Sequence, residues 1–303
     1  LVVRKRSAIN VPKTVKIVAK PKAEKVLDLK DIRRIEPRKA VRTPPAASVA
    51  QSKILRRHRN IRRKTQVRYE TREPSYGSIE KIKALQGIGC GNILIILGNG
   101  PSLLEVSDID LKNIKEHDKI HTLTVNKPDE RIWPTTYWAF FDYSQLRRHE
   151  DLWNSYHGTM FNSTAIRKQK QSSMQFKNHR GQGWSKDPSK GIYIGRSSVY
   201  ASMQIAAWMN YDHIYILGCD MNPSGIDGKL HFYGVNPDVE PELRAKRFAK
   251  EAEWYDTAAV VLSPEERTRF TFVTDYNPWD FVKKFGNITH RDLTPIIEHA
   301  NRL

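Results

Sequence analysis

After Gly77, short apolar runs closed by Gly, Asn or Asp alternate with stretches of helical spacing. Asn92–Leu97 is followed by Gly98, His121–Val125 by Asn126, Tyr137–Phe141 by Asp142, and Ile214–Leu217 by Gly218. Phe270–Val273 runs into Asp275-Tyr-Asn-Pro278. Each reads as a strand, and the apolar run Asn92–Leu97 suits one buried on both faces. Ser198–Asn210 and Pro241–Ala259 read as helices, the second with Leu243, Phe248, Ala252 and Tyr255 along one side. Met160–Asp187 is polar and reads as an irregular excursion, and Cys219–His231 as a long loop. Strand, helix and strand in repetition predict an α/β fold, with a mainly parallel Rossmann-like sheet and flanking helices over 89–303. No internal repeat is visible.

Such sheets bind ligands beyond the carboxyl ends of their strands. The polar residues expected there are Asn99, Ser102, Asn126, Asp142, Asp220, Asn222 and Asn277. Gly98-Asn-Gly-Pro-Ser102 follows the first strand and opens a helical segment, where free amides attract phosphate, so Gly98 and Gly100 join the candidate site. It is neither a Walker loop nor a full dinucleotide fingerprint, because Leu103 stands where the third glycine would be. Ser102-Leu-Leu-Glu105 fits a capping box. Asp108-Ile-Asp110 resembles a metal-binding Asp-x-Asp but lies away from a strand end, so a helix cap is expected and no metal. His231, in the loop after Asp220, is either a surface imidazole or a general base.

Charge divides the chain differently. Residues 1–72 hold 23 Lys and Arg against 5 Asp and Glu, an excess that equals the +18 of the whole chain. The remainder is neutral overall. The same segment has no Gly, one aromatic (Tyr69) and five prolines. It cannot bury enough apolar surface to offset its ordering entropy, and it reads as a basic arm that is disordered or ordered by a partner. Residues 73–88 read as a linker or helix. The densest run, Lys53 to Lys64, offers Lys53, Arg56, Arg57, Arg59, Arg62, Arg63 and Lys64 to nucleic acid or another polyanion. No zinc-finger spacing or stacking pattern points to sequence-specific readout. Glu24, Asp28, Asp31 and Glu36 argue against a transit peptide. Two cysteines outside any ligand cluster, with no membrane-length apolar run and no secretory pattern, predict a cytoplasmic protein without a membrane partner.

With these motifs in order, the chain resembles the small bacterial sialyltransferases of glycosyltransferase family 42, and phage and archaeal proteins that share the Gly-Asn-Gly-Pro-Ser start. The similarity runs loosely from Asn92 to Phe285. Val125-Asn126, Ser197-Ser198-Val-Tyr200 and Ile214–Asp220 resemble further family motifs, while Phe141-Asp142 stands in place of a Tyr-Asn. The resemblance implies Asn99, Ser102, Asn126, Ser197 and Ser198 around a nucleotide, and His231 as base. Asn222 lies near where the family uses a leaving-group Tyr, and Tyr233 is the phenol that could replace it. The implied ligand is a CMP-sugar or other nucleotide-sugar donor, with no resident cofactor and metal-independent transfer. Host cytoplasm or a virion is the implied setting if the source is a phage. The alternative expectation is a non-catalytic component of a virion or other nucleoprotein assembly that reuses the fold. The same Gly-Asn-Gly-Pro-Ser group in pterin pyrophosphokinases supplies a third.

Overall fold

The structure is a computed structural model that describes residues 76–166, 170–234 and 240–303. The arm at 1–72, with its basic run Lys53–Lys64, lies outside the described residues.

Eight strands form one sheet in which every neighbouring pair is parallel. In chain order the elements are α1 (Tyr76–Ala84), β1 (Ile93–Leu97), α2 (Asp108–Glu116), β2 (Ile120–Val125), β3 (Tyr137–Phe140), α3 (Tyr143–Arg148), α4 (Glu150–Ser155), β4 (Thr159–Ser163) and β5 (Ser173–Phe176). They continue with α5 (Ser198–Met209), β6 (His213–Leu217), α6 (Pro241–Val261), α7 (Pro264–Thr268), β7 (Phe270–Val273), β8 (Gly286–Ile288) and α8 (Thr294–Asn301). The spatial order is β5-β4-β3-β2-β1-β6-β7-β8. The chain builds outward from β1 to β5, then returns to the other side of β1. The β1/β6 border is therefore the topological switch point, where the loops leaving two neighbouring strands diverge and open a crevice.

All five residues of β1 are buried, and their alternation divides the core. Leu94 and Ile96 pack with α1, α5 and α6, alongside Ile82, Met203, Ile205 and Tyr255. Ile93, Ile95 and Leu97 pack on the opposite face with Leu111, Ile114 and Ile296 from α2 and α8. A strand covered on both faces needs apolar side chains at every position, which is why β1 reads as a continuous run. Helix α1 is tied into this core: Ile82 and Leu85 are buried, the Gln175 amide donates to Ser78 Oγ at 2.7 Å, and Trp208 Nε1 donates to the Ile82 carbonyl at 2.9 Å.

Four local expectations are corrected. The stretch from Met160 to Asp187 contains most of β4 and all of β5. These strands lack an apolar pattern because Asn162 and Gln175 point into the interior, as their burial shows. Ser102 does not cap a helix. Pro101–Glu105 is a 3₁₀ turn whose cap position is Gly100, the Ser102 amide is held by Asp220, and the Glu105 carboxylate turns away to the Tyr276 hydroxyl (2.7 Å) and to His290 (3.0 Å). The cap of α2 is Ser107, whose hydroxyl receives the Asp110 amide at 3.0 Å, so Asp108 and Asp110 occupy the first helical turn. On α6, Leu243 faces outward rather than joining Ala252 and Tyr255 in the core.

Candidate functional site

The loops leaving β1 and β6 meet at close range. Gly98 N donates to the Leu217 carbonyl and Gly100 N to the Gly218 carbonyl, both at 2.7 Å. A Cβ on Gly98 would stand 2.3 Å from the Gly218 carbonyl oxygen, and one on Gly100 would stand 2.3 Å from Asp220 Oδ2. The two glycines of the Gly-x-Gly are required by this approach of one loop to another. Asp220, almost wholly buried, completes the junction by accepting the Ser102 amide (2.9 Å) and the Thr274 hydroxyl (2.8 Å).

Above this junction lies a cleft of about 260 Å³. Asn99 and Gly100 come from the β1 loop, Asn126 from the end of β2, Asp142 from the end of β3, Ser197 and Ser198 from the start of α5, and Asp220 and His231 from the loop after β6. Eight of the residues expected from sequence thus line one cavity, although they span 133 positions from Asn99 to His231. The Ser198 hydroxyl donates to Asn126 Oδ1 at 3.1 Å, which orients that amide. Asn99 Nδ2 donates to the Lys127 carbonyl at 2.8 Å, and Asp142 caps α3 by accepting the Ser144 amide at 2.8 Å. Asn126, Arg196 and Met221, all cleft residues, hold left-handed backbone at φ 55°, 63° and 45°. Non-glycine residues keep that conformation only where surrounding contacts enforce it.

The other expected residues fall elsewhere. Ser102 is fully buried behind the loop, and its Oγ has no hydrogen-bond partner. Gly98 does not line the cleft. Asn222 accepts the Ser224 amide within its own turn, and Asn277 donates to the Cys219 carbonyl (2.7 Å) while accepting the Trp279 amide. Tyr233 is partly exposed, with its ring stacked on that of His231 at 5.0 Å and Lys127 Nζ 5.0 Å from its centroid. Neither Asn222, Asn277 nor Tyr233 lines the cleft.

Beyond Phe248, helix α6 contributes residues that its apolar side did not mark. Arg244, Arg247, Phe248 and Glu251 recur at helical spacing on one face and line the cleft, as does Arg196 on the approach to α5. Among the described residues, none of the three arginines has a carboxylate within 4.0 Å, and Arg244 Nε is buried without a hydrogen-bond partner. Glu251 is only 7% exposed. Burial pushes its carboxyl up to about 7, against the opposing effects of a hydrogen bond from Ser197 and the charges of Arg247 and Arg196. Burial moves His231 the other way, below the usual imidazole range, with Arg247 adding to the effect and a hydrogen bond to the Asn99 backbone opposing it. Desolvation disfavours the charged form of each group, so an acid and a base sit in one cavity with their neutral forms favoured.

No known family, curated protein or solved structure matches the chain.

A larger cavity of about 420 Å³ lies at the amino ends of β6 and β7, lined by Trp184, Trp208, Lys186, Glu266 and Arg269. Its charges are already satisfied: Lys186 pairs with Glu266 at 3.1 Å, and Arg269 donates to the Tyr211 carbonyl. The smaller cleft carries the unspent chemistry. Among the described residues, no three His, Cys, Asp or Glu side chains are grouped to hold a metal, and no helix is long and apolar enough to cross a membrane.

Proposed function

We propose that the cleft binds a phosphate-bearing nucleotide-sugar donor and that the chain is a glycosyltransferase-like enzyme. One observation carries the reading: three arginines, none with a carboxylate within 4.0 Å among the described residues, line the same cleft as strand-end amides and hydroxyls. Arginine is suited to this role because its planar fork meets two phosphate oxygens at once. Asn99, Asn126, Ser197 and Ser198 would orient the nucleoside. The exposed carboxylate of Asp142 would accept from a sugar hydroxyl or a base edge, away from the phosphate.

His231 would serve as the base. An imidazole held neutral at pH 7 can take the acceptor's proton, and its ring is steadied by stacking on Tyr233. Tyr233 at the rim would contact the acceptor or the departing phosphate. The basic arm would bind a polyanion, DNA or RNA, and Lys127 and Arg148 add positive charge beside Tyr233.

The test is a thermal-shift series with CMP, UMP, GMP and a CMP-sugar. A ligand bound only by the folded state must raise the melting temperature. A rise with at least one nucleotide, lost in Arg247→Ala, is the expected result. No rise with any of them sinks the proposal.

A further inference from the structure

The cleft contains one ionisable group that an anion-binding site ought to exclude. Glu251 sits on the same face of α6 as Arg247, is almost completely buried and, among the described residues, forms no ion pair within 4.0 Å. Among the described residues, the groups that interact with it are Tyr255 and Arg247 from α6, Ser197 and Arg196 from the approach to α5, and Cys219 from the loop after β6. Arg196 and Arg247 are the positive charges that favour its ionised form. Asp220 and His231 line the same cavity.

We propose that Glu251 is the proton-carrying group of the cleft, taking up a proton when a phosphate anion binds among Arg196, Arg244 and Arg247, and donating it to a phosphate oxygen. This rests on the nucleotide reading of the cleft. A bound phosphate claims the arginine charge that supports the carboxylate and adds its own negative charge. Both effects favour the neutral acid. Protonation then turns a repulsive neighbour into a hydrogen-bond donor. During transfer, the acceptor oxygen forms a bond to the sugar carbon and gives its proton to His231. The bond from that carbon to the phosphate oxygen breaks, its electron pair stays on that oxygen, and the Glu251 proton moves there. Charge and protons balance, and the carboxylate left behind faces Arg247 again when the phosphate leaves.

The experiment is calorimetric titration of CMP into the full chain at pH 7.5, in two buffers of different ionisation enthalpy, with wild type and Glu251→Gln. Wild type is expected to take up roughly half a proton on binding, whereas the variant, a neutral donor already, takes up none and still binds. Wild-type affinity should also fall about tenfold as pH rises through the titration of Glu251, while the variant's stays nearly flat. Equal proton exchange in both proteins, with CMP bound by both, overturns the inference and leaves the nucleotide reading standing. A wild type that binds no CMP overturns that reading, and pyrophosphate is then titrated in its place. Pyrophosphate binding without Glu251-dependent uptake, or no binding at all, overturns the inference as well.

Discussion

The Ser102 amide donates to Asp220 Oδ2 across 2.9 Å, joining the β1 loop to the β6 loop over 118 positions of sequence. The second carboxylate oxygen receives the Thr274 hydroxyl, so one side chain ties the ends of three neighbouring strands beneath the cleft. Asp220→Ala would strand a buried amide and a buried hydroxyl, at a cost of about 2–4 kcal/mol. Asp220→Asn should cost less than about 1 kcal/mol, because its oxygen can face the amide while its nitrogen donates to Thr274 Oγ, which can also accept. Urea denaturation of both variants checks the ordering. Equal losses would mean that the carboxylate's charge matters and its acceptor geometry does not.

Gly100 adopts φ −67°, an ordinary conformation for any residue, so its requirement is wholly steric. Gly100→Ala would place a Cβ 2.6 Å from the Gly218 carbonyl oxygen as well as against Asp220. Overpacking of this kind costs about 1–3 kcal/mol. Because the displaced atoms form the cleft floor, nucleotide binding should weaken together with stability. A variant as stable as wild type, with full binding, would contradict this account of the motif.

These two residues also show what the sequence could and could not reveal. The apolar runs are legible because a doubly covered parallel sheet favours apolar side chains on both faces, as β1 illustrates. Strand-end polar residues are legible for the same reason, since the chain must emerge into solvent where Asn126 and Asp142 stand. β4 and β5 escape because Asn162 and Gln175 place polar side chains inside. The Ser102 capping box fails on a contact 118 residues away that no local pattern encodes. Glu251 escapes because a charged residue on a long helix reads as solvent-facing. Only its spacing with the buried Ala252 and Tyr255 hinted at an inward position, and Arg244 and Arg247 gain meaning only once α6 is laid against the β1/β6 crevice.

If Arg244 and Arg247 hold a phosphate, each should contribute through charge-assisted hydrogen bonds worth about 1.5–3 kcal/mol. Arg244→Ala and Arg247→Ala should therefore each weaken CMP binding about 10–100-fold. Lysine at either position should fall between, retaining the charge and losing the two-pronged geometry. Neither alanine variant should lower the melting temperature of the free protein appreciably, since neither side chain has an ion pair to lose. Fluorescence or calorimetric titration supplies the affinities. Unchanged affinity in both alanine variants would remove the arginines from the site.

Stability should carry the signature of Glu251 without any ligand. Its carboxyl is pushed up to about 7 in the folded chain, against 4.5 for an unhindered glutamate. Below pH 4.5 both folded and unfolded chains hold the proton, and the group makes no difference to folding. As pH rises toward 7 the unfolded chain releases its proton while the folded chain retains it, so the folded state loses stability relative to the unfolded one. The full penalty, reached above the folded value, is about 3 kcal/mol. Glu251→Gln keeps the shape and removes the ionisation. The variant should therefore match wild type near pH 4.5 and gain on it steadily, reaching about 3 kcal/mol at pH 8 to 9. Urea midpoints measured across that range give the difference directly, since every other titrating group is common to the two proteins. A difference that stays constant with pH would place the Glu251 carboxyl in the ordinary range and leave the cleft without its proton carrier.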